Sequence, residues 1–347
     1  MVYAIASIGI LGFIVWSQYV MALPYCEVTV INSAICWNSL TLIGTFCRKN
    51  PISYTQSAGN RGTFRSLTSS SETTRETSFD FTVFNNHYCQ QTCRPPLDAN
   101  WLTWFVGFAE GDGAILTNKS RPRFVLTQKE GAVLHIIQSV LGFGTVRHIT
   151  NGNYYRFVVE DNSNVRLLAY LFNGNLVIPH RITQLRAWLN VLNTIQLITT
   201  FPHITLQDAW ISGFTDAEGC FNVGVQPRAD AAIGFRVTIR FLLDQKNAES
   251  LLLHISALFG SGYVSLRKTT NIVYRYTNSS LIALNIVRDY FIVFPLKTKK
   301  SASFVKWNEI HTIVLAKQHI TLNAIRIISK QVNAVNNETR KTGSAHP

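Results

Sequence analysis

The chain has 347 residues, long enough for two domains, and its apolar fraction of 47% excludes wholesale disorder. Its formal net charge is +13, which says little about fold but points to a polyanionic partner: nucleic acid first, an acidic membrane surface second. Residues 1–100 hold six Lys and Arg against five Asp and Glu, so nearly all of that charge lies later in the chain.

In chain order, Val2 to Val20 is apolar apart from Ser7, Ser17 and Gln18. That length is marginal for a membrane span, and no basic stretch precedes it as a signal peptide would require. The words MVYAIASIGILGFIVWS resemble cytochrome c oxidase subunit I, a mitochondrially encoded membrane protein. The resemblance implies an intron reading frame continued from an upstream exon, a mitochondrial location, and a leader (1–22) open to proteolytic removal. The plain alternative is a membrane anchor, the only membrane contact expected. Residues 23–97 read as a poorly ordered linker. Residues 50–80 are rich in Ser, Thr, Asn and Gly, and Arg94-Pro95-Pro96 marks a boundary. Of six cysteines, Cys89 and Cys93 form a lone C-x-x-x-C, short of the four ligands of a structural zinc site. No secreted disulfide framework is visible.

A nine-residue stretch then occurs twice, FVGFAEGDG from Phe105 to Gly113 and ISGFTDAEG from Ile211 to Gly219. Phe105, Phe108 and Ala109 share one helix face, as do Ile211, Phe214 and Thr215. Gly107 and Gly213 occupy the same place in each copy. A mid-helix glycine costs about 1 kcal/mol against alanine, and close approach of a second backbone is the usual reason to keep one. Gly113 and Gly219 stand where a C-terminal glycine is expected. Asp112 and Glu218 sit at the end where the helix dipole disfavours negative charge, which points to a task other than stability.

After each motif the same words recur in order. Thr127-Gln128-Lys129 matches Asp244-Gln245-Lys246, Leu141 to Gly144 matches Phe259 to Gly262, and Tyr155-Arg156-Phe157 matches Tyr274-Arg275-Tyr276. The motifs lie 106 residues apart and the later words 117 to 119, so the second half carries a longer strand–strand segment. The expected fold is α+β: two pseudo-twofold-related αββαββα halves over 98–200 and 201–335, with a saddle of antiparallel sheet and a polar tail over 336–347. Helices are expected over 133–140, 165–171, 182–198, 248–258, 281–291 and 301–316, their leucine and isoleucine spacing being core packing.

Strand alternation divides the sheet faces. Phe235, Val237, Ile239 and Phe241 oppose Arg236, Thr238 and Arg240, while Arg123, Val125 and Thr127 oppose Phe124 and Leu126. Arg267 continues the alternation of Tyr263 and Ser265. Arginine on one face of several strands suits the major groove of DNA. Lys119, Arg121, Arg147, Arg156, Arg228, Lys268 and Arg275 are further candidates for DNA contact.

The doubled motif with its matched downstream words resembles the LAGLIDADG homing endonucleases over about residues 101–330. The resemblance implies that the motif helices form the interface between halves and that Asp112 and Glu218 bind the catalytic metal. Glu218 stands where the family more often has Asp. The carbonyls of Gly111 and Ala217 would complete ligation. Gln128 and Gln245 match positions that hold solvent or substrate near the metal. Lys299 matches a lysine before the closing helix, and His180 stands at the corresponding place in the first half. Glu110 and Asp216 read as supporting or structural acids. Two close carboxylates need cations, and their hard oxygens suit Mg²⁺. The implied function is a metal-dependent double-strand DNA endonuclease that promotes intron mobility. The alternative is an RNA maturase acting on its own intron. Two motifs in one chain imply a monomer.

Overall fold

The computed structural model describes residues 78–340 apart from 194, 232, 269 and 271. The apolar leader of residues 1–22, the linker up to residue 77 and the end of the tail beyond residue 340 lie outside the described residues. Among the described residues no helix is long and apolar enough to cross a membrane.

The first half opens with α1 (Thr82–Thr92) and the motif helix α2 (Ala99–Asp112), which Asp98 caps by accepting from Trp101 N at 2.8 Å. Strands β1 (Gly113–Asn118) and β2 (Arg121–Gln128), helix α3 (Gly131–Leu141), strands β3 (Thr145–Ile149) and β4 (Tyr154–Val159), and helices α4 (Asn162–Phe172) and α5 (Pro179–Leu192) follow. The second half repeats the order with α6 (Trp210–Glu218), β5 (Gly219–Pro227), β6 (Phe235–Lys246), α7 (Glu249–Leu258), β7 (Tyr263–Leu266), β8 (Val273–Asn278), α8 (Leu284–Val293) and α9 (Lys300–Leu315). It adds α10 (Leu322–Arg340), which runs through the boundary expected at residue 335. Each half forms a four-stranded antiparallel sheet, ordered β1-β2-β4-β3 and β5-β6-β8-β7. The expected αββαββα pattern is present in both, followed by a further helix in the first half and two in the second.

The extra length of the second half lies in one hairpin. Gly113 pairs with Leu126, whereas Gly219 pairs with Leu243, so the β5–β6 hairpin is the longer. The helix expected over 182–198 stops at Leu192, because Asn193 adopts the left-handed conformation (φ 48°). The apolar sheet faces close on helices: Phe124 meets Phe105 and Phe172, while Phe221 meets Phe291, Phe304 and Trp307.

The linker expected to extend to residue 97 is corrected from residue 78 onward. Phe84 and Tyr88 on α1 are fully buried, and His87 stacks on Tyr170 of α4 at 4.1 Å. Asp80 and Asn175 exchange two hydrogen bonds, at 2.9 and 2.7 Å. Arg94 donates to the carbonyls of Val140 and Ser139, satisfying the C-terminal end of α3. Composition misses this segment because only a few apolar residues, Phe81, Phe84 and Tyr88, are buried against the body.

The motif helices α2 and α6 cross with their backbones in contact. A Cβ on Gly213 would stand 1.8 Å from Trp104 O, and one on Gly107 2.2 Å from Trp210 O. Gly113 and Gly219 are extended rather than left-handed (φ −79° and −84°). Their lack of a side chain is needed because a Cβ would meet Ala109 O at 2.4 Å and Thr215 O at 2.7 Å.

Two outcomes are expected in urea unfolding. Gly213→Ala should cost roughly 3 kcal/mol or more, the upper range for overpacking, because rigid backbone stands in the way. Phe84→Ala should cost about 3–5 kcal/mol, and a chain starting at Ser78 should fold where one starting at Pro96 does not. Wild-type midpoints for Phe84→Ala and for the Pro96 start would show that α1 is dispensable.

Candidate active site

The crossing brings the C-terminal ends of α2 and α6 together. A Cβ on Gly111 would lie 2.3 Å from Ala217 Cβ and 3.2 Å from Glu218 Cγ. Asp112 and Glu218 therefore share one site at the joint between the halves, each at the last residue of its helix. Gln128 Nε2 donates to Asp112 Oδ2 at 2.5 Å. Gln245, at the equivalent place on β6, is buried, and its amide oxygen accepts from Lys246 N at 3.3 Å.

The Glu218 carboxyl is pushed up to about 8, first by burial and then by the negative charge of Asp112. Lys300 and Arg181 oppose that shift. Lys300 is 3% exposed, and its Nζ donates to Ala217 O at 2.7 Å and Thr215 O at 3.1 Å. Burial lowers the pKa of this ammonium, while Asp112, Asp216 and Glu218 hold it up. On the first-half side Arg181 donates through Nε to Glu110 O at 2.9 Å and through Nη2 to Gly111 O at 3.0 Å. The two cations thus cap carbonyls that the helix ends leave free and stand beside the acids.

This arrangement corrects two expectations. Lys299 turns from the motif acids to Glu130 of the first half, at 2.8 Å, and Lys300 is the lysine at the site. His180 is exposed, and its neighbour Arg181 reaches the motif carbonyls. Nothing in the run Lys297-Thr298-Lys299-Lys300 distinguishes its lysines by type; the phase at which α9 begins decides which one points inward. The carbonyls of Gly111 and Ala217 accept from Arg181 and Lys300, and each oxygen retains a second lone pair.

Glu110 and Asp216 are buried and tie the halves together. Glu110 accepts from Val177 N and Ile178 N on its own side and from Trp210 Nε1 across the crossing, at 2.8, 2.6 and 2.7 Å. Asp216 accepts from Lys297 N, from Thr298 N and Oγ1, and from Trp104 Nε1 across the crossing at 2.8 Å. Burial lifts Glu110 to about 7 and raises Asp216, while the donors to each pull the other way.

The strand register gathers the candidate nucleic-acid residues. Thr127 faces Arg156, which faces Arg147, and Arg123 lies on the same side of β2. In the second half Gln226 faces Arg236, Gly224 faces Thr238, Asn222 faces Arg240, and Asp244 faces Arg275. Lys119 and Arg121 flank the β1–β2 turn, and Lys119 is left-handed (φ 46°). Lys268 follows β7 and is exposed. Arg123 Nε is buried without a hydrogen-bond partner. Several of these cations already hold partners within the chain. Arg240 bonds Asn222 Oδ1, Arg228 pairs with Asp230 at 2.6 Å, and Asp244 takes both Arg275 and Arg267. The face is therefore less purely basic than strand alternation suggests.

Glu218 links the site to stability. Its carboxyl goes from an ordinary 4.5 to about 8 in the fold, so the folded state holds the proton more tightly. The resulting stability is fully present below pH 4.5 and is lost as pH rises through about 8. Without divalent cations, the parent should lose up to about 1.4 kcal/mol per pH unit across that window relative to Glu218→Gln. Parallel urea stability–pH curves for the two proteins would contradict the assignment.

A family model described as LAGLIDADG endonuclease matches residues 211–311. Probable intron-encoded endonuclease 4 of Neurospora crassa is 34% identical over 253 residues, covering 69% of this chain and 45% of that protein. The chain thus spans just under half the length of that relative. The LAGLIDADG meganuclease I-AabMI bound to uncleaved DNA superposes with a TM-score of 0.55 at 20% identity, over 67% of this chain and 98% of that one. I-SmaMI, bound to an uncleaved DNA target in the presence of calcium ions, gives 0.56 at 15% identity over 68% and 98%. These two likenesses are of fold. With its doubled motif and paired helix–strand–strand units, the chain belongs to the LAGLIDADG endonuclease family.

Proposed function

We propose that this chain is a site-specific, metal-dependent endonuclease that makes double-strand breaks in DNA and so promotes mobility of the intron encoding it. The observation that carries the reading is the meeting of Asp112 and Glu218 at the ends of glycine-crossed helices, between two sheets whose strands carry arginine on one face. Relatives and fold neighbours named as intron-encoded or DNA-bound endonucleases support it. With two motifs in one chain, it acts as a monomer. The leader's resemblance to a mitochondrially encoded subunit supports action in the mitochondrion.

The donor set suits a hard divalent cation. Two carboxylates, one of them lifted to about 8 by burial and by the charge of the other, are what Mg²⁺ ordinarily takes alongside water and phosphate oxygens. Asp112 and Glu218 would hold it, with the second lone pairs of the Gly111 and Ala217 carbonyls within the same site. A divalent cation held there would supply Lewis-acid stabilisation of charge on the phosphoryl oxygens and would make water a better nucleophile at neutral pH.

The chain's own groups do the rest. Gln128 orients Asp112 through its amide and presents a polar group to solvent at the site. Lys300 and Arg181 keep positive charge within the acidic pair and fix the ends of both helices. Lys299 pairs with Glu130 across the halves and steadies the rim. The arginine-bearing strand faces neutralise phosphates and read base edges.

Asp112→Asn and Glu218→Gln separate binding from cutting. Each removes one negative charge facing phosphates, so gel shifts in Ca²⁺ should show DNA bound at least as tightly as by the parent. In Mg²⁺ each should lose roughly 10²-fold or more of double-strand cleavage, leaving at most a nick. Parental cutting by both variants would place the active site elsewhere. Loss of binding together with cutting would make the two acids structural.

A further inference from the structure

The sheets place Thr127 and Asp244 at equivalent points. Each follows the strand residue paired with the motif glycine, Leu126 or Leu243, and precedes the site glutamine. Each faces an arginine on the next strand, Arg156 or Arg275. The chemistry at the two points differs. Asp244 takes Arg275 with both oxygens, Nε to Oδ1 and Nη2 to Oδ2, each at 2.6 Å. Its Oδ2 also accepts from Arg267 Nη1 at 3.1 Å. In the first half Thr127 carries no charge, and Arg156 is exposed and lies over the Tyr154 ring at 5.2 Å. Arg147 comes no nearer than 4.0 Å to Glu160.

We propose that Asp244 is a positioning residue that makes base recognition by the second half rigid beside the cleavage site, while the equivalent place in the first half stays compliant. The proposal rests on the endonuclease reading above. A free arginine loses considerable rotamer entropy when it is ordered on DNA, and one already held in a two-pronged pair loses less. The pair uses the Nε–Nη2 edge of Arg275, so its Nη1 edge is what remains for a base. The Asp244 carboxylate also repels phosphate, which steers this patch toward base edges rather than backbone. Arg156 and Arg147 have no comparable anchor and can follow several base identities or a phosphate. The two half-sites of the DNA should therefore differ in stringency at their inner positions, the side read by the second half being the stricter.

The test is selection of bound duplexes from a DNA library randomised over the whole recognition length, in Ca²⁺ so that cutting does not enter. Asp244→Asn and Asp244→Thr should bind with unchanged or higher overall affinity. They should lose about tenfold of base preference at the inner positions on the second half's side only. Asp244→Glu should restore part of it, and Thr127→Asp should create new preference beside Arg156. Unchanged preference throughout, or an equal change at every position, would overturn the proposal. So would failure of both Asp244 variants to fold, as read by urea unfolding, which would make Asp244 a fold residue. A parent chain that enriches no sequence at all would instead overturn the endonuclease reading and this inference with it.

Discussion

Contact of backbone on backbone between α2 and α6 is the constraint on which the rest depends. Gly107 and Gly213 lie where a side-chain carbon would overlap the carbonyl oxygens of Trp210 and Trp104. With no side chains to separate the helices there, their C-terminal ends meet as well, Gly111 against Ala217. Two acidic residues are thereby forced into one place that is already made negative by two helix dipoles. The cost shows in Glu218, whose carboxyl burial and Asp112 push up to about 8.

Two devices offset that cost. One is the pair of inward cations, Arg181 and Lys300, which bond the last carbonyls of the motif helices and sit close to the acids. The other is the exchange of indoles, Trp210 with Glu110 and Trp104 with Asp216. Each of those buried acids takes donors from both halves, so separating the halves would leave a buried carboxylate short of partners, which is strongly unfavourable. The pseudo-twofold axis is thus held by matched polar clamps around an apolar crossing.

The symmetry is incomplete around the candidate site. Asp112 meets Glu218, Arg181 on Gly111 O corresponds to Lys300 on Ala217 O, and Thr127 corresponds to Asp244. An arginine stays charged under all ordinary conditions, whereas burial pulls the lysine's pKa down against the acids around it. The longer β5–β6 hairpin likewise extends one half beyond the other. A duplicated fold with unequal halves suits a partner whose two sides carry different sequences.

Much of this was legible in the residues alone. The repeated nine-residue word, its two glycines and the misplaced carboxylates identify the crossing and the acids, because close helix approach requires glycine wherever it occurs. Clean alternation around Phe235 to Phe241 identifies the apolar and arginine-bearing strand faces, because side chains alternate along any strand. Tertiary structure alone decided which lysine enters the site, since the run from Lys297 to Lys300 is ordered only by the phase at which α9 starts. It also decided that α1 belongs to the core, because Phe84 and Tyr88 are too few to register in composition yet are fully buried. And it decided that Asp244 is spent on Arg275 and Arg267, a pairing set by strand register between residues 23 and 31 positions apart. Local periodicity carries what each element needs for itself; partners brought together by sheet register and helix phase exist only once the chain has folded.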